Sequence, residues 1–188
     1  MSEFLQKEGF GSSASVQDGC PQEFFWFVMR VTYSRELKAQ AMLQSEGIEC
    51  YIPMRRKFAD SGVSMTPVIH NLLFVRSNRE ILDGWKQRVD DICPIRYAMD
   101  KSTGHPMIVR DKQMEDFIRV TADADALYLD NPNVLVEKGM DVEVCAGPYK
   151  GVTGRLIRIR RDRKVVVGIP GLMAAAVSGI PLAWLKKL

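Results

Sequence analysis

The sequence has no paired cysteines, few histidines and no long apolar run. Its four cysteines, Cys20, Cys50, Cys93 and Cys145, stand 30, 43 and 52 residues apart. They form no Cys-x-x-Cys pair of the kind that indicates a zinc site or a redox motif. The longest apolar runs, such as residues 172–177, are far shorter than the roughly 20 residues that a membrane-spanning helix needs. We therefore interpret the cysteines as reduced thiols and expect no membrane partner.

Further absences concern targeting and catalysis. The N-terminus lacks a basic start followed by an apolar segment, so we expect no secretory signal and a cytoplasmic location. His70 lies in an apolar run and His105 in a Gly-Pro turn, and neither is part of a pattern for nucleophilic catalysis or metal binding. We expect a protein that is not an enzyme and that holds no cofactor or metal.

The charge is small in total but unevenly distributed. The chain of 188 residues carries 26 basic and 23 acidic side chains, and 46% of its residues are hydrophobic, as in a globular protein. Residues 1–23 have a net charge of −3, residues 24–135 of 0, and residues 136–188 of +6. A basic C-terminal part favours contact with a polyanion such as nucleic acid, and a solvated basic face accounts for the charge equally well.

Residues 1–22 show little periodicity and are interpreted as a flexible tail. The aromatic and β-branched run at 24–33 predicts a buried strand. A helix should follow, with Ser34 as its cap and Gly47 at its end. Strands at 48–54 and 68–75 are expected to pair across a long polar tip.

A second helix is predicted from the capping-box spacing of Ser77 and Glu80 and should end near residue 91. Residues 95–99 predict a short strand, and Asp111 is expected to cap a third helix. This order predicts an α+β domain over residues 23–122, with an antiparallel sheet and flanking helices. The loss of periodicity at 123–135 predicts a linker between two independently folding units.

Residues 136–188 contain short apolar or alternating runs separated by turns, which predicts a small C-terminal β-barrel. Residues 172–188 are compatible with helix or strand. Gly147, Gly151 and Gly154 do not form a phosphate-binding loop, because no Gly-Lys-Ser/Thr follows. They are better explained by positive φ angles in a tight turn.

The segment GMDVEVCAGPYKGVTGRLIRI, residues 139–159, resembles a KOW motif. Upstream, FFWFVMRVTYSRELKAQAMLQSEGIECYIPM and VIHNLLFV resemble the opening and the central strand of an NGN domain. The two in this order make the chain resemble the NusG family of bacterial transcription elongation factors. The resemblance implies an NGN domain at 23–122 and a KOW barrel at 136–188.

The resemblance also implies a transcription antitermination or processivity factor that binds the clamp helices of RNA polymerase and suppresses pausing. The matching positions for the polymerase-binding cleft are Trp26, Arg30, Ile69 and Leu72. Those expected near the nucleic acid of the elongation complex are Arg35 and Lys38. For Trp26 and Ile69, membership of the hydrophobic core is an equally good interpretation.

Departures from general NusG proteins indicate a specialised paralogue. The residues Ile69–His70–Asn71–Leu72 replace an aromatic-Pro-Gly-Tyr run, and the Asn with the following LFV resembles RfaH-type proteins. The segment TGHPMIVRDKQMEDFIRVT is similar to UpxY-type paralogues, which the family associates with capsular polysaccharide operons. The resemblance therefore implies an operon-specific factor.

The C-terminal barrel is expected to recruit a partner. Arg158 and Arg160 should lie on one face of its basic hairpin and meet nucleic acid or an acidic protein partner, such as the ribosome or a termination factor. A solvated hairpin without a partner is the other interpretation. Because KOW barrels also occur in ribosomal proteins, an RNA-binding ribosomal or ribosome-assembly protein is the alternative function. The neutral charge of residues 24–135 counts against it.

Overall fold

The structure is a computed structural model. It describes residues 23–60, 62–123, 126–129, 139–159 and 162–188. The predicted tail, most of the predicted linker, and Arg160 fall outside the described residues. No helix within the described part is long and apolar enough to cross a membrane.

The first sheet is built around one buried strand. This strand, β1 (Phe25–Val31), pairs antiparallel with β5 (Leu72–Ser77) and with β6 (Ile95–Tyr97). β2 (Glu49–Tyr51) adds to β5, and β7 (Ile108–Val109) pairs with β1. The strand order β2-β5-β1-β6 confirms the predicted antiparallel sheet and the expected pairing of the second and third apolar runs.

Three helices cover the two faces of this sheet: α1 (Glu36–Ser45), α2 (Arg79–Val89) and α3 (Asp111–Thr121). Side chains of α1 and α2 join the apolar cluster formed by the odd-numbered residues of β1. Side chains of α3 join the cluster on the opposite face, where the Phe74 and Phe117 rings lie 6.1 Å apart. Burial of both faces explains why β1 and β5 are almost continuously apolar.

The first helix begins one residue later than predicted. Ser34 does not cap it, since its φ is +51° and its backbone N–H donates to Asn71 Oδ1 at 2.7 Å. Arg35 occupies the cap position without a side-chain cap hydrogen bond. Gly47 follows the helix with a φ of +74°, as expected from its position.

The second and third helices also differ from the prediction at their first turns. Asn78 caps α2, because its Oδ1 accepts from the Ile81 N–H at 2.7 Å, so the proposed capping box at Ser77 is wrong. Asp111 is the first residue of α3 instead of its cap. Its carboxylate lies 3.2 Å from the guanidinium of Arg76.

The expected polar tip between β2 and β5 is itself a two-stranded hairpin. Its strands are β3 (Met54–Ala59) and β4 (Gly62–Pro67), which form a separate two-stranded sheet among the described residues. The expected strand at 68–75 begins only at Leu72, because residues 68–71 form a turn in which Asn71 has a φ of +61°. This hairpin is not predictable from the sequence, because an element without a buried face gives no apolar pattern.

The second sheet has six strands in the order β13-β9-β10-β11-β12-β8, and all of their pairings are antiparallel. Its strands are β8 (Leu127–Leu129), β9 (Met140–Val144), β10 (Thr153–Ile159), β11 (Asp162–Ile169), β12 (Met173–Val177) and β13 (Leu185–Lys187). This confirms a C-terminal β domain. The undecided segment 172–188 forms two strands around a short 3-10 turn at Leu182–Trp184.

One strand of the second sheet lies inside the segment predicted as a linker. β8 pairs with β12 through Leu127 opposite Ala176 and Leu129 opposite Ala174. The sheet therefore takes in chain that precedes residue 136. Three residues are too few to show strand periodicity in the sequence. That the two units fold independently stays a prediction.

Candidate polymerase and nucleic-acid interfaces

The four side chains predicted for the polymerase-binding cleft differ widely in exposure. Trp26 is 3% exposed and Leu72 0% exposed, and both belong to the apolar cluster beneath α3. Ile69, in the turn before β5, is half-buried against that cluster. Arg30 is exposed and lies opposite Leu72 in the sheet register. Trp26 and Leu72 thus form part of the core, and Ile69 and Arg30 can be reached from solvent.

Arg30 is part of a basic end of the first sheet. Across the β1–β6 pairing it lies directly opposite Arg96, which is also exposed. The Arg35 Nη1 donates to the Ile92 carbonyl at 2.8 Å, and its guanidinium lies 5.4 Å from the centre of the Tyr33 ring. Because like charges opposite each other in a sheet are destabilising, an anion bound here would relieve the repulsion.

Lys38 adds positive charge on the other sheet face, where the first helix packs. It is exposed and lies one turn after Arg35. Burial raises the pKa of the nearby Cys93 thiol, and the charges of Lys38 and Arg35 oppose that rise. Both cations therefore lie close enough to Cys93 to influence the pKa of its thiol. Sequence reasoning proposed Arg35 and Lys38 and missed Arg96, because a cross-strand neighbour 66 positions from Arg30 leaves no local signal.

The loop that carries Arg35 is held in an uncommon backbone conformation. Tyr33 and Ser34 have φ angles of +59° and +51°, in a region that side-chain-bearing residues rarely adopt. Asn71 fixes the loop: its side chain accepts from the Ser34 N–H, and its carbonyl accepts from the Val31 N–H at 3.0 Å. These bonds place the turn containing Ile69 beside the basic end of the sheet.

A buried acid connects the first helix to the same turn. Glu36 is almost inaccessible, and its Oε1 lies 3.3 Å from Nδ1 of His70, which is largely exposed. The Glu36 Oε2 and the Thr32 hydroxyl are buried without a hydrogen-bond partner in the described part of the chain. The contact between Glu36 and His70 therefore links α1 to the turn that contains Ile69.

The glycine turn of the C-terminal domain contacts α3. Asp116, 3% exposed, accepts from the Thr153 N–H at 3.1 Å and from its hydroxyl at 2.7 Å. Lys112 forms an ion pair with the same carboxylate and also donates to the Gly151 carbonyl at 2.7 Å. Charge-assisted bonds to a buried carboxylate are among the stronger hydrogen bonds in proteins. These contacts hold the turn on the helix.

Apolar contacts continue this interface. α3 packs against β11 and β12. One apolar cluster joins the α3 face of the first sheet to Val142, Val144, Val165 and Val167 of the second sheet. The Gln113 amide also donates to the Gly168 carbonyl at 2.7 Å. The two domains therefore share a packed interface.

Two of the three glycines of the turn have φ angles that favour glycine. Gly147 has a φ of +79° and Gly151 of +86°. A Cβ at Gly147 would collide with the Trp184 ring, and a Cβ at Gly154 would lie 2.6 Å from the Val166 carbonyl oxygen. Backbone conformation and close packing thus account for the glycine spacing without a bound phosphate.

The basic hairpin of the C-terminal domain contains a cross-strand pair of like charges. Arg158 lies opposite Arg163, and both are exposed. Next to them, Lys164 forms an ion pair with Asp162 at 3.0 Å. Arg160 is outside the described residues, so its predicted alignment with Arg158 stays a prediction.

A group of hydroxyl side chains lies where the β3–β4 hairpin leaves the first sheet. The Tyr51 and Thr121 hydroxyls are 2.6 Å apart, and the Tyr128 hydroxyl donates to the Met54 carbonyl at 3.1 Å. Burial raises the pKa of both tyrosines, and in Tyr51 the Thr121 contact partly opposes the shift. Both phenols therefore stay neutral at physiological pH and fix the base of the hairpin.

Comparison with known proteins gives the family. The sequence profile described as "Transcription termination factor nusG" matches residues 24–118, just over half of the chain. The chain belongs to the NusG family. Among solved structures, one titled "Domain interaction in Thermotoga maritima NusG" is 18% identical, covers 88% of this chain and 98% of that chain, and has a TM-score of 0.45. A search of curated proteins gives no match.

Membership makes this a transcription factor with a role in elongation or antitermination. The NusG family consists of transcription factors that act with RNA polymerase and nucleic acid. In the described ranges, no three His, Cys, Asp or Glu side chains are grouped so that they could hold a metal ion.

Proposed function

We propose that this protein binds the clamp helices of RNA polymerase during elongation and suppresses pausing. It would act as a cytoplasmic antitermination or processivity factor and not as an enzyme. The observation that carries the proposal is the family match over residues 24–118, which covers the domain that contains Ile69 and Arg30. These two side chains are the accessible members of the predicted cleft.

Docking would use a small apolar contact surrounded by charge. Ile69 supplies the accessible apolar side chain, and Trp26 and Leu72 support it from the core. Arg30 lies at the rim, where a charged side chain orients a partner more than it adds affinity. In such interfaces a few central apolar or aromatic residues provide most of the binding energy.

Nucleic acid of the elongation complex would contact the basic end of the first sheet. Arg35 and Lys38 lie on the α1 face of this end, and Arg30 and Arg96, two arginines held opposite each other, lie on the α3 face. In the C-terminal domain, Arg158 and Arg160 would provide a second contact, to nucleic acid or to an acidic surface of the ribosome or a termination factor. The exposed Arg158–Arg163 pair supports an anionic partner for that hairpin.

We also infer an operon-specific role of the UpxY or RfaH type. Asn71, one of the residues that distinguish this chain from general NusG proteins, fixes the loop that carries Arg35 through two hydrogen bonds. The departure in sequence thus lies next to the surface proposed to contact nucleic acid. Transcription of a long capsular polysaccharide operon with and without the factor tests this inference.

The polymerase proposal is tested by binding of the purified full chain to core RNA polymerase. Ile69→Glu should weaken binding by about 2 kcal/mol, roughly 30-fold, as expected for a hot-spot residue. Ile81→Glu is the matched control, because Ile81 is 42% exposed on α2, which packs on the opposite sheet face. Equal binding by both folded variants would place the docking surface elsewhere.

The alternative function is that of a ribosomal or ribosome-assembly protein. Binding experiments with the same purified chain distinguish it from the polymerase proposal. The basic residues 136–188 favour it, and the neutral first domain counts against it. Titration of the full chain with ribosomal RNA and with polymerase should give tight, saturable binding to polymerase only. Tight binding to ribosomal RNA with no polymerase binding would support the alternative.

A further inference from the structure

A buried carboxylate at the start of α1 has one hydrogen-bond contact within the described part of the chain. Glu36 is 2% exposed, and its Oε1 lies 3.3 Å from Nδ1 of His70. Its Oε2 is buried and has no partner among the described residues. A buried acceptor without a donor costs free energy, and more so when it is charged. The chain therefore keeps a costly acid at the point where α1 touches the turn before β5.

This turn, residues 68–71, is attached to the rest of the first domain at both of its ends. At its first residue, the Val68 N–H donates to the Pro53 carbonyl at 2.9 Å. At its last residue, Asn71 has a φ of +61° and accepts hydrogen bonds from the chain before α1. His70 lies between these ends, and its ring attaches the middle of the turn to α1.

We propose that His70 is a positioning residue, whose contact with Glu36 holds Ile69 in the orientation that binds polymerase. This inference rests on the proposed function, in which Ile69 is the accessible apolar contact. A carboxylate only accepts hydrogen bonds, so His70 donates through a protonated Nδ1. Ile69 and His70 share one planar peptide unit, so a fixed His70 restricts the orientation of Ile69. Without this donor, the Glu36 carboxylate would turn toward water, and the turn would lose its attachment to α1.

The two members of the pair differ in exposure, and this difference separates positioning from direct contact with polymerase. The side chain of His70 is 66% exposed, so a partner docked on the turn can reach it. The side chain of Glu36 is 3% exposed, so the same partner cannot. An effect of Glu36 on binding by the folded chain must therefore pass through the turn. If His70 acts through Glu36, removal of either side chain has the same consequence.

The first measurement is amide hydrogen exchange of the full chain without polymerase. The amides of Val31 and Ser34 donate to Asn71, so their exchange rates report whether the turn stays attached. His70→Ala should speed the exchange of both amides about 5-fold or more, because exchange follows local opening. His70→Asn should restore the parent rates, since its amide nitrogen takes the place of Nδ1 as a donor. His105→Ala is the matched control, because it removes an exposed histidine from another turn, and it should leave both rates unchanged.

The second measurement is binding of the full chain to core RNA polymerase. His70→Ala should weaken binding about 5- to 10-fold, because apparent affinity falls with the fraction of molecules in the binding conformation. His70→Asn should bind within about twofold of the parent, since it keeps the donor. Glu36→Ala should match His70→Ala, and the double variant should lose no more than either single one. On an Ile69→Ala background, His70→Ala should change binding by less than about twofold, because the side chain to be positioned is gone.

The proposal is overturned if the losses of His70→Ala and Glu36→Ala add, because His70 then contacts polymerase itself. It is also overturned if His70→Ala leaves the exchange of the Val31 and Ser34 amides unchanged. Circular dichroism and the thermal midpoint confirm that each variant is folded. The exchange measurement and the Ile69 background change no fully buried residue, so they decide the proposal even if Glu36→Ala does not fold.

Failure of the proposed function gives a different pattern of results. If the parent chain binds no polymerase, the proposed function fails and this inference fails with it. If Ile69→Ala weakens polymerase binding and His70→Ala binds like the His105→Ala control, the proposed function stands and this inference alone is overturned.

Discussion

The glycine turn of the C-terminal domain packs against the rest of the protein, whereas the β3–β4 hairpin is exposed to solvent. The glycine turn of the C-terminal domain lies on α3, where Asp116 accepts two bonds from Thr153 and apolar residues of both domains share one cluster. The β3–β4 hairpin extends away from the first sheet and leaves Phe58 exposed. The difference shows that the glycine turn is held by contacts within the chain, whereas the hairpin surface remains available to a partner. Substitutions should therefore affect folding at the first region and binding at the second.

The largest effect is expected beneath α3, at Leu72. This side chain is 0% exposed in the cluster that supports both α3 and the second sheet. Leu72→Glu removes a core side chain and buries a charge, so the free energy of unfolding should fall by about 4 kcal/mol or more. Urea unfolding followed by circular dichroism measures it. Ile69→Glu, three residues away but half-buried, is the control and should remain folded. A stable Leu72→Glu variant would show that the position is surface.

A smaller effect is expected where the glycine turn meets Trp184. Gly147→Ala adds a Cβ that collides with the indole ring, at a φ of +79° that alanine adopts poorly. The expected loss is about 2–4 kcal/mol, combining backbone strain and overpacking. Gly179→Ala is the matched control, because Gly179 has a similar φ of +76° but no atom lies within 4 Å of where its Cβ would be. It should lose only about 1 kcal/mol. Equal losses would mean that the Trp184 contact is unimportant.

Loss of the hydrogen bonds between Asp116 and Thr153, which join the two domains, should lower the free energy of unfolding moderately. Asp116→Asn weakens charge-assisted bonds to Lys112 and Thr153, and the free energy of unfolding should fall by about 2 kcal/mol. Combined with Thr153→Val in a double-mutant cycle, the two substitutions should couple by about 1 kcal/mol. Chemical denaturation of the full chain measures all four proteins. Additive losses would indicate that the carboxylate stabilises α3 alone and does not hold the turn.

The sequence was sufficient to predict the elements that have a strong apolar pattern. β1, β5 and the three helices follow from aromatic, β-branched and helical spacing, and the family assignment follows from the same segments. Helix starts shifted by one residue, because Ser77 and Asn78 are both good caps and only the packed structure selects between them. Local patterns thus determine which elements form, and tertiary contacts determine where they begin.

Features that depend on distant pairing could not be predicted. Arg96 meets Arg30 only through the β1–β6 register, and β8 is recognisable only through its pairing with β12. The contact of Thr153 with Asp116 joins residues 37 positions apart. Among the residues of the proposed cleft, Trp26 and Leu72 are buried, whereas Ile69 and Arg30 can be reached from solvent. No periodicity in the sequence contains this information, because exposure of a strand residue depends on what covers the sheet.

The smallest effect on stability is expected at the tip of the hairpin. Phe58→Ala should change the free energy of unfolding by less than about 0.5 kcal/mol, because an exposed side chain loses little buried surface when it is shortened. Urea unfolding followed by circular dichroism measures this value. Phe74→Ala is the contrasting variant, since Phe74 is inaccessible beneath α3 and should lose about 3–5 kcal/mol. A loss above about 1.5 kcal/mol at Phe58 would mean that the ring packs within the protein in solution. In that case the hairpin surface would not be free, and the contrast between the two regions would disappear.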